Sequence, residues 1–301
     1  MGLAVLFAIA GAATADAASI TASSGGFTYA AAVGEGMELD ATVDGRELVL
    51  ADTAATALTG RLPNSCTSTA ADVGIAIRCD APGPQTLRLT GGESGDRISA
   101  WQLPRRVSLL ARLGNGDNIV EGGSGDDDIR GGDDRDTLYG GPGTDLLVGG
   151  DGNNYLRGNG GDDIVRGGAG ALDFLIGDGG NDSITGGAGV DYITGGGGDD
   201  QIDAGADNDD IGAGAGDDVI LGGGGDDELR GGTGADRFAG GAGADLLRAR
   251  DGEGDDLDCG AGGDDIARID GLDDANSKTC EKIRTADTAT TEPVDVNAPT
   301  F

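Results

Sequence analysis

Aspartate recurs every ninth residue through the middle of this 301-residue sequence, each time between a glycine-rich run and an apolar residue. The column holds Asp127, Asp136, Asp145, Asp163, Asp182, Asp191, Asp200, Asp209, Asp218, Asp227, Asp236 and Asp245, with Asn118 and Asn154 in the same place. Carboxylates beside turns that expose backbone carbonyls form an all-oxygen, flexible ligand set, which suits Ca2+ better than Mg2+ or a transition metal. The chain contains no His, and its four Cys are not clustered, which argues against zinc. Without His there is no H-E-x-x-H protease helix and no Ser–His–Asp or Cys–His arrangement. Glycoside cleavage by paired carboxylates wants aromatic platforms, and Trp101 is the sole Trp. The glycine-rich turns carry Asp rather than Lys, so their field repels phosphate. The sequence therefore predicts metal binding and no enzyme.

The elements that must position these carboxylates follow from the period. Residues 113–248 divide into fifteen units, such as GGSGDDDIR at 122–130 and GGAGVDYIT at 186–194. Glycines at positions one, two and four permit positive φ and close backbone approach. Positions seven to nine favour Ile, Leu, Val, Tyr and Thr, which suits a strand. Position eight is apolar in every unit: Val120, Ile129, Leu138, Leu147, Leu156, Val165, Leu175, Ile184, Ile193, Ile202, Ile211, Ile220, Leu229, Phe238 and Leu247. Two units make one coil with a turn at each end, and the coils stack as parallel strands around the position-eight side chains. Stacking sets each position six beside the position six two units on, which generates two rows about 4.8 Å in spacing. Bare carboxylates at that distance repel by about 1 kcal/mol in water and about 3–4 kcal/mol near a protein surface. A cation between turns is required. An acidic face that served only for solvation would not fix Asp at six while position five varies.

One unit, GGAGALDFLI at 167–176, has ten residues. A bulge near Ala171–Leu172 puts Asp173 at position six and Leu175 at position eight. The other register places Leu172 in the carboxylate row and Phe174 inside. A one-residue slip turns every side chain over, whereas a local bulge costs far less.

Composition agrees. There are 62 Gly and 54 acidic against 20 basic side chains, a net charge of -34, and aromatics are 3%. That is too little apolar bulk for an ordinary core. A fixed apolar column is inconsistent with low-complexity disorder, and Gly does not recur every third residue as in collagen. The charge repels nucleic acid and anionic membranes and attracts cations.

The flanks have other roles. Leu3–Ala13 is apolar and Ala15-Asp16-Ala17 suits signal peptidase, so residues 1–17 read as a secretory signal, and the run is too short to span a bilayer. No other segment is apolar enough to cross a membrane, so a secreted, extracellular, soluble protein is expected. Residues 18–112 show short alternating stretches and read as a small β-strand-rich domain or cap. Residues 249–284 carry degenerate repeats, with Asp256 and Asp265 after Gly-rich turns, and read as a C-terminal cap. Residues 285–301 read as a disordered tail. The four Cys allow three pairings. The local pair Cys66–Cys79 and the local pair Cys259–Cys280 each close a short loop within one region, which is stabilising by about 3 kcal/mol.

The units match G-G-x-G-x-D-x-U-x, and in this they resemble the repeats-in-toxin (RTX, haemolysin-type) family. The resemblance covers about 113–248. It implies a right-handed parallel β-roll with multiple Ca2+ ions between successive turns, held by the position-six side chains and turn carbonyls. Members of that family include pore-forming toxins, proteases, lipases, adhesins and surface-layer proteins. This sequence departs from many of them in its N-terminal signal and in lacking a toxin or protease domain. The expected function is an extracellular calcium-binding repeat protein, structural or adhesive, that folds on Ca2+ and meets cell-surface or matrix components. The alternative is an accessory module whose 18–112 region binds polysaccharide while the roll aids folding and secretion.

Overall fold

The computed structural model describes residues 19–23, 26–30, 38–44, 47–52, 66–70, 75–80, 85–91, 94–271, 273–275 and 279–285. The expected signal at 1–17 and the expected tail after Thr285 lie outside the described residues. Every regular element among them is a β-strand.

The nonapeptide acts as one strand plus one turn. In the repeats, strands begin at position seven and run through position eight into the first glycines of the next unit, as in Thr137–Pro142 and Ser183–Ala188. Consecutive strands go to opposite sheets and pair in parallel with the strand two units away, for example Leu138 with Leu156 and Ile129 with Leu147. Two long sheets result, parallel throughout the repeats, one of thirteen and one of fifteen strands among the described residues. This is a parallel β-roll. Burial alternates along each strand because successive side chains point to opposite faces. Position eight is 0–3% exposed in all fifteen units and forms the interior column, which position one completes, Leu113 in the first unit and Gly or Ala in the others. Phe238 is the one aromatic in that column, and its ring lies against the Gly231 Cα, where only a residue without Cβ leaves room.

The turns explain the glycines. Gly141 has φ 110°, and an added Cβ would collide with the Gly123 carbonyl oxygen of the preceding coil. Where the turn positions two and four are not Gly and φ is positive, the residues are Asp134, Asn159, Asp178 and Asp207. Short Asn and Asp side chains tolerate this left-handed conformation best.

The ten-residue unit keeps register. Tyr155 pairs with Phe174 and Leu156 with Leu175. The Ala171 amide bonds the Asn153 side chain and the Ala171 carbonyl accepts from Val190, so Leu172 is the extra residue in the turn. Leu175 is buried and Phe174 lies outside, stacked on Tyr192 with ring centroids 5.1 Å apart.

Before the repeats come β1 (Ser19–Ser23), β2 (Gly26–Ala30), β3 (Glu38–Asp44), β4 (Glu47–Asp52), β5 (Cys66–Ala70), β6 (Ile75–Asp80), β7 (Gln85–Thr90), β8 (Arg97–Ser99) and β9 (Val107–Gly114). The pairing does not break at residue 112. β7 and β9 continue one sheet in parallel, and β8 and β3 continue the other. Antiparallel pairs, β1 with β2, β3 with β4, and β6 with both β4 and β5, then close this end. The β5–β6 register sets Cys66 opposite Cys79, whose side chains are outside the described residues. At the other end the strands Asp256–Gly262, Ile266–Ile269, Asp274–Ala275 and Lys282–Thr285 continue the stack, and a disulfide joins Cys259 to Cys280 across a 5.1 Å Cα separation. Among the described residues no helix is long and apolar enough to cross a membrane.

Candidate metal centre

The position-six side chains stand in two continuous rows, and a repeating hydrogen bond builds each. The backbone N–H of one position-six residue donates to the side-chain oxygen of the position-six residue one coil later. In one row the chain runs from Asn118 N–H to Asp136 at 3.0 Å, through Asn154 and Asp173, to Asp191, Asp209, Asp227 and Asp245. In the other it runs from Asp127 N–H to Asp145 at 2.7 Å, and on through Asp163, Asp182, Asp200, Asp218 and Asp236. Asp173 takes its place between Asn154 and Asp191, at 0% exposure. All fifteen expected residues are in the rows and buried.

That ladder uses Oδ1. The second oxygen, Oδ2, is buried without a hydrogen-bond partner in Asp136, Asp145, Asp163, Asp173, Asp182, Asp191, Asp200, Asp209, Asp218, Asp227 and Asp245. A buried, unpaired carboxylate oxygen carries a large desolvation cost. These oxygens face backbone carbonyls. A Cβ placed on Gly222 would lie 2.6 Å from Asp227 Oδ2 and 2.5 Å from the Gly240 carbonyl oxygen, so the two oxygens converge beside that glycine. The donor set is carboxylate plus carbonyl, with no nitrogen or sulfur, which fits Ca2+.

The electrostatics agree. Burial, opposed by the backbone hydrogen bond and reinforced by row neighbours, pushes Asp145 up to about 8 from its ordinary 3.8. Asp136, Asp191 and Asp209 rise to about 7 mainly through burial. For the same first reason Asp163, Asp173, Asp182, Asp200, Asp218, Asp236 and Asp245 rise to about 6. Metal-free, burial therefore makes the ionised rows costly. A divalent cation would supply the missing positive charge.

Several positions differ from the sequence reading. Asp127 has no spare oxygen, since Oδ1 accepts from Leu109 N–H and Oδ2 from Gly123 N–H, each at 2.7 Å. Its row ends there because the position-six place one coil earlier belongs to Leu109. The rows also run past the expected limits. Asp96 precedes Asn118, in a unit GGESGDRIS at 91–99 that the insertion-like AWQLPRRVS at 100–108 separates from the rest. After Asp236 the row residue is Asp255, not Asp256, because the 249–258 turn holds one residue more and Leu257 takes the core position. Asp265, read from the sequence only as part of the cap, follows Asp245, and Glu281 Oε2 then accepts from the Asp265 amide. The sequence signal for Asp255 was the apolar residue two positions on, Leu257, as in every other unit.

Comparison with known proteins bears on this geometry. A family model for the RTX calcium-binding nonapeptide repeat matches four times, at residues 113–147, 139–171, 176–211 and 212–247. Comparison with curated proteins finds no match. The two-row roll between residues 113 and 247 is an array of RTX calcium-binding nonapeptide repeats.

Proposed function

We propose that this chain is an extracellular calcium-binding protein without catalytic activity, whose roll folds on Ca2+ and serves a structural or adhesive role. The observation that carries the reading is the double row of buried Oδ2 atoms, without hydrogen-bond partners, beside the backbone carbonyls of the first residue of the unit one coil on. Asp136, Asp145, Asp163, Asp173, Asp182, Asp191, Asp200, Asp209, Asp218, Asp227, Asp236 and Asp245, with turn carbonyls, are the proposed ligands. Asn118 and Asn154 contribute weaker, uncharged oxygens, and Asp127 stands at the end of its row. On the order of a dozen Ca2+ ions follows from one ion per carboxylate step. The apolar N-terminal segment favours export, and the strands over 19–90 would close the roll's first end. Equilibrium dialysis of the full chain against Ca2+ tests the reading. Saturation near a dozen ions supports it, and one or two ions would contradict it. Recovery of the protein from the cell exterior, released from the surface by chelator, would support the adhesive role, and recovery only from the cell interior would remove it.

A further inference from the structure

Half of the aromatic side chains of this ring-poor sequence gather at one place. There are one Trp, four Tyr and five Phe. Tyr139, Tyr155, Phe174 and Tyr192 stand on successive strands of the fifteen-stranded sheet, on the face away from the position-eight core. Trp101 joins them from the loop after β8 and is 62% exposed. Cross-strand aromatic pairs stabilise sheets. That accounts for Phe174 and Tyr192, whose rings are stacked 5.1 Å apart. It does not account for Trp101, which makes no ring–ring contact among the described residues.

Two grooves meet at Tyr139. One, of about 500 Å³, is lined by Trp101, Tyr139 and the glycines Gly122, Gly123, Gly140 and Gly141, so only rings and backbone form most of its wall. The other, also of about 500 Å³, is lined by Tyr139, Tyr155, Ile119, Thr137 and the pair Asp117 and Arg135. Charges beside the rings are largely balanced. Arg135 bonds Asp117 at 2.9 Å, and Arg157, opposite Tyr139 in register, is paired with Asp178.

We propose that these grooves bind a neutral β-linked hexose polysaccharide lying along the roll axis, with sugar faces on Trp101, Tyr139 and Tyr155. Such a sugar presents a flat C–H face, which suits the electron-rich face of an aromatic ring. Its hydroxyls suit paired carboxylates and guanidiniums, which keep free lone pairs and N–H groups. Trp101 follows β8, and the Tyr139 strand lies two strands further on, about 10 Å along the axis. Platforms so spaced fit an oligomer better than a single small ring. An anionic polymer is repelled by the net charge of -34. A basic peptide finds Asp117 and Asp178 already paired, which leaves Glu121, itself bonded by the Ser99 hydroxyl at 3.3 Å. The proposal deepens the adhesive reading above and rests on it for access to such polymers.

Trp101 is the sole tryptophan, so its fluorescence reports this site alone. The full chain in Ca2+ is titrated with mixed-linkage β-glucan, with carboxymethyl cellulose and with oligolysine, and acrylamide quenching of Trp101 is followed. The β-glucan should shield Trp101, and the two charged polymers should not. Retardation in gels containing β-glucan then compares variants. Trp101→Ala and Tyr139→Ala should each weaken binding about tenfold, and Tyr192→Ala, outside both grooves, should match the parent. Trp101 is exposed on a loop, so its variant carries the test even where Tyr139→Ala disturbs the sheet. No shielding by β-glucan, stronger shielding by either charged polymer, parent-like binding by Trp101→Ala, or equal weakening by Tyr192→Ala would overturn the proposal. Recovery of the chain only from the cell interior would remove the adhesive role and leave this binding measurement unchanged.

Discussion

Each row aspartate has two separable tasks, one per oxygen. Asp200 Oδ1 accepts from the Asp182 amide at 2.8 Å, while Oδ2 has no partner. Asp200→Asn keeps the acceptor and removes the charge, as Asn154 does naturally. At saturating Ca2+ this variant should lose about 1–2 kcal/mol and need a higher Ca2+ concentration to fold, read by denaturant titration at several Ca2+ levels. An unchanged Ca2+ requirement would show that Oδ2 does not ligate. Protons should partly replace the metal. The row carboxylates have folded-state values near 6 to 8, above their ordinary 3.8. A raised folded value contributes stability that is full below about 3.8 and is lost as pH rises through 6 to 8. The metal-free chain in chelator should therefore become more stable from pH 8 down to pH 5. In Ca2+ the trend should weaken or reverse, since protons compete with the ion. Calorimetric melting in chelator that fell steadily over that range would contradict the buried rows.

A strand and its turn form the next unit of behaviour, and the ten-residue repeat shows how tightly they are coupled. The extra residue is held in the turn at Leu172, while Asp173 and Leu175 keep row and core. Deleting Leu172 restores the nine-residue length and should change stability by less than about 0.5 kcal/mol. Deleting Phe174 instead shifts Leu175 out of the core and should unfold the neighbouring coils. Comparable losses in both deletions, measured by thermal melting in Ca2+, would refute the placement of the bulge. This register was legible in the sequence because two columns, carboxylate and apolar, had to be kept at once. Asp255 was not legible by counting alone. A second extra residue before it moves the glycine run out of phase, and only the apolar Leu257 fixes the frame. Asp96 was hidden for a different reason. Its unit has the right form, but the following rung, from Ala100 to Ser108, lacks a glycine turn and puts Leu109 where an aspartate is expected.

At the scale of the molecule, the parallel roll, its two rows and its period were readable from spacing, because a nine-residue period with one fixed charge and one fixed apolar side chain admits few folds. The N-terminal strands were readable as strands but not as continuations of both sheets. Strand partners across sixty residues are set by stacking on an existing edge, as β3 pairs with β8, and leave no local mark in the sequence. The whole stack depends on the rows. Each coil contributes two buried apolar side chains and orders eighteen glycine-rich residues, a loss of backbone entropy of about 1–2 kcal/mol per residue, while its unpaired carboxylates oppose stacking. Far-UV circular dichroism of the full chain near pH 7.5, first in chelator and then in millimolar Ca2+ or Mg2+, tests this dependence most directly. The account predicts a largely unfolded spectrum in chelator, a β spectrum on adding Ca2+, and no comparable change with Mg2+. A β spectrum that chelator leaves unaltered would contradict it.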